Sequence, residues 1–356
     1  MIPAVLKTIK ELKAALNRPV RLMEVCGTHT VALFRHGIRD VLPEGILLLS
    51  GPGCPVCVTS VRDVDTIIEI SRNREFIIAT FGDMMRVPGS CKSLMDARSE
   101  GSDIRIVYSP LDALKIAEEN TGRKVVFFAA GFETTSPLVA GTVSEAEHAG
   151  ISNFFVFSVH KTVPPALKAL LDSEEVLVDG FILPGHVSTI IGKTPYNFIA
   201  ADYRKPAVIT GFDAGDILTA ICMLLKQLVN GKSLIENQYT SVVKDEGNPR
   251  ALSIMNEYFE ASDTEWRGIG IIPGSGLKLK EQFRHRDVLS VLNPDIPEGR
   301  EPAACSCGDI LRGIKIPPDC RLFGKACTPE RPVGACMVSS EGSCSAYYKY
   351  TAMNRG

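Results

Sequence analysis

The chain alternates short, nearly unbroken apolar runs with longer stretches of helical periodicity. The runs are VRLMEV, GILLLS, EFIIAT, DIRIVY, KVVFFAA, NFFVFSV, GFILP and AVITG, rich in β-branched and aromatic residues. Runs this short and this apolar predict strands buried on both faces, and helical segments between them make the sheet mostly parallel. Those helical segments include SVRDVDTIIEISRN, LDALKIAEENTG, LVAGTVSEAEHAG and DILTAICMLLKQLVNGK, several opening beside Ser, Asp or Pro and closing at Gly, as helix caps require. The fold class expected is α/β: two open, mostly parallel α/β units followed by a Cys-rich C-terminal region. All the strands in one sheet would make it very wide, so the division is placed near EENTGRK. This gives units at 1–120 and 121–232 and the third region at 233–356, with RGIGIIPGSG able to complete loops of the first unit.

The unusual residues follow the strands. CGTHT comes after LMEV, GPGCPVC after LLLS, FGDMMRVPGS after FIIAT, GFETT after VVFFAA, HKTVPP after FFVFSV, PGHVS after GFIL, and GFDAGD after AVIT. Ligands of open parallel sheets bind in the crevice at the carboxyl ends of the strands. These seven polar, Gly-rich loops therefore predict one cleft.

Composition changes this picture mainly by exclusion. The 356 residues are 45% hydrophobic and 22% charged, with 39 Lys and Arg against 41 Asp and Glu. No block of like charge could neutralise a row of phosphates, so nucleic acid is not expected as a partner. The first residues place Val5, Ile9, Leu12 and Leu16 on one helix face, with lysines and a glutamate cutting through any signal-like core. The longest apolar runs fall far short of the ~20 residues that span a bilayer. A cytoplasmic protein without membrane contact is expected.

In that compartment thiols stay reduced, so eleven cysteines point to metal or redox chemistry rather than structural disulfides. Cys54 and Cys57 form a C-x-x-C at a strand-to-helix corner, where backbone N–H groups stabilise a thiolate. Val58 stands where haem attachment requires His, and GPGCPV lacks the third glycine of a dinucleotide fingerprint. Cys26 and His29 bring a soft thiolate and an imidazole into one short loop of the same cleft. His186, His160, Glu133 and Asp83 are candidates to orient a ligand or move protons, although for Glu133, Thr134 and Asp83 taken singly helix capping is the favoured role. Cys91 and Cys222 read as inert, Cys222 lying in an apolar helix. Neither a Walker A sequence nor a G-x-S-x-G elbow occurs.

Six further cysteines, Cys305, Cys307, Cys320, Cys327, Cys336 and Cys344, crowd a segment with few apolar residues. Such a segment needs a staple. The paired knuckles typical of zinc are missing, and a four-thiolate iron–sulfur cluster suits the wide spacing better. One division gives Cys305, Cys320, Cys327 and Cys344 to the cluster and leaves Cys307 and Cys336 as a dithiol; spacing alone supports another four of the six nearly as well.

Together MEVCGTHT, GPGCPVC, GFETTSP, LPGHVS, IPGSGL and the tail CSCGDILRG…PPDC…LFGKACTPE…GACMVSSEGSCSAYYKY resemble the HypD family of hydrogenase maturation factors. The resemblance implies a metallocentre-assembly scaffold for the Fe(CN)2CO group of NiFe hydrogenases rather than an enzyme with independent turnover. It implies a small HypC-like partner chaperone and a HypE-like cyanide donor. By the same resemblance Cys26 would ligate the iron together with a cysteine of the partner, with His29 in support. Cys54 and Cys57 would be the cleft redox pair; Cys305, Cys320, Cys327 and Cys344 would carry a 4Fe–4S cluster, with Cys307 and Cys336 as the adjacent dithiol. A competing class is an iron–sulfur-dependent thiol–disulfide oxidoreductase acting on a protein substrate, which would have no need of Cys26.

Overall fold

The computed structural model describes residues 2–292, 294 and 298–353, with side chains described as far as Thr351. All eight apolar runs form strands: β1 Val20–Glu24, β2 Ile46–Ser50, β3 Phe76–Thr80, β4 Ile104–Ile106, β5 Lys124–Ala129, β6 Phe154–Ser158, β7 Gly180–Pro184 and β8 Ala207–Thr210. Three more follow, β9 Ile235–Asn237, β10 Phe259–Trp266 and β11 Gly270–Leu279. Two parallel sheets result, ordered β2-β1-β7-β8-β9 and β4-β3-β5-β6, while β10 and β11 make an antiparallel hairpin.

The strand pairing cuts across the expected division near residue 120. The chain leaves the first sheet after β2, builds the whole second sheet with β3 to β6, and returns at β7, where Met23 pairs with Phe181. A parallel strand can insert beside any neighbour that a helical crossover reaches, so sequence order alone does not choose its partner.

Both sheets are covered on both faces, which explains the continuous apolar runs. In the first, Leu22, Leu48, Ile182 and Val208 pack under the helices Ile2–Leu16 and Ala214–Val229. Alternate residues Met23, Leu49, Phe181, Leu183 and Ile209 face Leu167, Tyr196, Trp266 and the C-terminal cysteines. In the second, Phe76, Ile78, Val126 and Phe128 meet the helix Val61–Ser71, whereas Ile77, Val125, Phe127 and Val156 meet the helices Pro110–Glu119 and Ser136–His148.

The hairpin ties the parts together. Trp266 bridges to Thr59 and Gly276 to Lys161, and the buried Lys161 ammonium donates to Thr264 Oγ1 at 2.8 Å while pairing with Asp63. Among the described residues no helix is long and apolar enough to cross a membrane.

Candidate functional site

In the first sheet the connections from β1 and β7 run in opposite directions, making a crevice at their carboxyl ends, where the loops CGTHT and PGHVS begin. The loop after β2 lies against the first of these. The Gly27 N–H donates to the Gly53 carbonyl at 2.9 Å and the Gly51 N–H to the Glu24 carbonyl at 2.7 Å. Position 53 has no room for a side chain, because a Cβ there would stand 2.1 Å from the Cys26 nitrogen. Glycine is what lets the two cysteine loops run edge to edge.

Cys26 caps the helix Gly27–Arg35 and Cys54 caps the short helix Pro55–Val58. Cys26 is 7% exposed, Cys54 3% and Cys57 not at all. Burial pushes the Cys26 thiol up to about 12; the His29 N–H and the Thr28 hydroxyl oppose this, while the carboxylates of Glu341 and Glu24 add to it. Cys57 is likewise raised, first by burial, then by the neighbouring Cys54 thiol, with Cys344 and Glu341 contributing. A cation beside Cys26 would offset both burial and the carboxylates, so the donor set fits a metal bound by thiolate.

The histidines sit on either side of Phe212, with His29 4.7 Å and His186 4.1 Å from its ring. His29 Nε2 donates to the Gly211 carbonyl at 2.9 Å, leaving buried Nδ1 without a partner. Burial pushes His29 down to about 4 and lowers His186, so both rings are neutral near pH 7. Beneath the loop, Glu24 accepts from the Thr30 hydroxyl and from the Cys26 N–H at 3.2 Å; burial raises it to about 7.

Three residues of this corner were missing from the sequence reading. Phe212 carried a signal, since it heads the loop after β8. Glu24 ends an apolar strand and reads as the polar edge of that run. Glu341 comes from the C-terminal segment, accepts from Thr28 Oγ1 at 2.7 Å and packs so closely that a Cβ at Gly27 would lie 2.6 Å from its own. Its only mark in the sequence is its position between Cys336 and Cys344.

The remaining candidates stand elsewhere. Glu133 is 2% exposed and lines a different, apolar cavity of about 520 Å³ with Thr162, Pro165, Ile191, Pro195 and Met255. Its Oε1 accepts the Val163 N–H at 2.9 Å, and burial raises its carboxyl to about 7. His160 is buried against Phe259, its Nδ1 paired with Ser158 at 3.0 Å. Asp83 is exposed and accepts from Ser339. Cys91 is exposed, and Cys222 is buried among the residues of the helix Ala214–Val229.

The C-terminal thiols form a second site. Cys305, Cys320, Cys327 and Cys344 line one small apolar cavity, and Cys344 feels the other three. Cys307 and Cys336, in its wall, are joined by a disulfide across a Cα–Cα distance of 6.5 Å. Burial raises Cys305 and Cys344. At Cys320 burial is outweighed by hydrogen bonds from the backbone of Ser306, Leu322 and Phe323, and its thiol lies below the usual range. The Val333 N–H donates to Cys327 Sγ at 3.3 Å. At Gly334 a Cβ would come within 2.7 Å of Cys305 Sγ. Among the described residues no three His, Cys, Asp or Glu side chains converge as a single-ion site; four thiols spaced around a shared cavity, with N–H donors to sulfur, fit a polynuclear cluster. The 3₁₀ turn Ala335–Met337 packs against the helix Pro55–Val58, which sets the disulfide beside the Cys54 and Cys57 corner.

Residues 1–351 match the family described as HypD, Hydrogenase formation hypA family. The chain is 46% identical over 355 residues to the hydrogenase maturation factor HypD of Rhodobacter capsulatus, covering 98% of this chain and 94% of that protein. It is 45% identical over 340 residues to HypD of Escherichia coli (strain K12), with 95% and 91% covered. A putative hydrogenase expression/formation protein of Methanocaldococcus jannaschii is 46% identical over 352 residues, covering 98% and 97%.

Proposed function

The chain belongs to the HypD family of hydrogenase maturation factors, and from that premise we propose that it is the scaffold on which the Fe(CN)2CO group of NiFe hydrogenases is assembled. The iron is cargo. Cys26 would hold it together with a thiolate from a HypC-like chaperone, and a HypE-like protein would deliver cyanide. The observation that carries this reading is the meeting of Cys26, Cys54 and Cys57 at one buried corner, with neutral His29 and His186 alongside and a second thiol group behind it.

Each group has a role in this proposal. His29 donates its backbone N–H to Cys26 and, through Nε2–H, is locked on the Gly211 carbonyl, which fixes the thiol's direction. Cys305, Cys320, Cys327 and Cys344 would hold a 4Fe–4S cluster, which supplies one-electron transfer when bound. Cys307 with Cys336, and Cys54 with Cys57, would serve as two-electron stores: each disulfide takes two electrons and two protons to break its S–S bond and give two thiols. The electrons come from a low-potential donor outside the chain. Burial of the corner keeps water from the cargo, and soft thiolate suits low-spin iron carrying cyanide and CO.

The test is infrared spectroscopy of anaerobically co-purified chain and HypC-like partner. Metal-bound CN and CO stretches are expected in wild type and absent in Cys26→Ala, with the cluster's iron and sulfide retained. Bands of full strength in Cys26→Ala would overturn the assignment of the iron ligand.

A further inference from the structure

The turn of the β10–β11 hairpin carries an arginine that no part of the proposed mechanism uses. Arg267 is 3% exposed, and its position is fixed from three directions. Its N–H donates to the Val58 carbonyl at 3.0 Å, its Nε to the Thr59 carbonyl at 2.9 Å and one terminal nitrogen to the Pro88 carbonyl at 2.6 Å. Two of these carbonyls directly follow Cys57.

On its other side the turn is pressed into the cysteine-rich segment. Gly268 has φ +70 and meets Gly308 so closely that a Cβ at 308 would stand 2.1 Å from the Gly268 carbonyl oxygen. The arginine therefore sits where the thiol-pair loop meets the segment that holds Cys305 and Cys307, within electrostatic reach of Glu301, Cys305, Cys57 and Asp65. Carbonyl oxygens satisfy several of its donors, but they do not cancel its charge. Glu301, from the stretch just before Cys305, accepts from the Gly268 N–H at 2.7 Å and is the opposing charge bound to the turn.

We propose that Arg267 is a positioning residue of the redox machinery: its buried guanidinium is a fixed positive charge that acts through Cys305 to stabilise the reduced, more negative state of a cluster in the four-thiolate cavity. This rests on the reading that the cavity holds an iron–sulfur cluster. One-electron reduction adds one negative charge to the cluster and moves no proton, the electron coming from the same external donor. A nearby buried cation lowers the energy of that state, since net charge and burial tune cluster potentials. Because the arginine also grips the two residues after Cys57, it sits on the side of the cavity that faces the thiol pair.

The experiment uses the full chain, purified anaerobically, with iron and acid-labile sulfide measured first and the reduced fraction then followed by electron paramagnetic resonance at a series of poised potentials. Arg267→Met is expected to lower the reduced-to-oxidised ratio about tenfold at fixed potential, equivalent to about 59 mV for a one-electron couple. Arg267→Lys, which keeps the charge, should restore most of the ratio. Glu301→Gln keeps an acceptor for Gly268 but removes the opposing charge, and should raise the ratio. Wild-type protein without iron and sulfide would remove the cluster reading and this inference with it. A loaded cluster whose ratio stays within twofold in Arg267→Met, or falls in Glu301→Gln, would overturn the inference alone.

Discussion

The two thiol sites are built on different foundations. Cys26, Cys54 and Cys57 stand at the ends of strands locked in register, Val20 to Glu24 against Ile46 to Ser50, with glycine contacts fixing one loop on the other. Cys305, Cys320, Cys327 and Cys344 come from a stretch of turns and short helices: Cys320 follows the 3₁₀ turn Pro317–Asp319, Cys327 bridges to Phe323, and Cys344 lies in the first turn of the helix Ser343–Met353. The first site inherits its shape from a sheet that folds for its own hydrophobic reasons. The second has mainly its own sulfur, one disulfide and the neighbouring sheet face to hold it. Under the proposed function, a difference in dependence on the cluster follows.

The largest expected effect is on that dependence. Stripping the proposed cluster with a chelator under reducing conditions should expose the backbone of 305–344 to hydrogen exchange while β1 to β8 stay protected; uniform exposure of both regions would erase the contrast. Next comes Gly53→Ala, which pushes a methyl into the Cys26 backbone. A loss of about 3 kcal/mol in urea unfolding is expected, together with faster alkylation of Cys26 and Cys57, and unchanged alkylation would show that the loops are not mutually held. The smallest effect is for Glu341→Gln. The carboxylate raises both Cys26 and Cys57, so its neutralisation should lower both thiols and speed their alkylation a fewfold at pH 8. The four cavity thiols should respond less. Equal acceleration everywhere would mean loosened packing instead of lost charge.

Much of the layout was legible in the chain. Eight apolar runs became eight strands because fully buried parallel strands leave a continuous hydrophobic signature. The loops with unusual residues were legible too, since a strand's end fixes which side of the sheet its loop serves. The hairpin was overlooked in favour of a loop, although FEASDTEWRGIGIIPGSGLKL has a glycine-bearing turn between extended segments. Glu341 and Arg267 were out of reach: a lone charge in an irregular segment or a hairpin turn has no period to mark it.

What the sequence determined by itself is therefore local: where strands and helices form, and that six of the eleven cysteines crowd the C-terminal segment. Tertiary structure decided that β7 joins β1, that Phe212 and His186 come to His29, that Glu133 goes to a separate cavity, and that the C-terminal segment seats Glu341 on Gly27. Periodicity depends on neighbours a few residues apart. Pairing of parallel strands and docking of irregular chain depend on contacts hundreds of residues apart, which are chosen by the burial of whole faces.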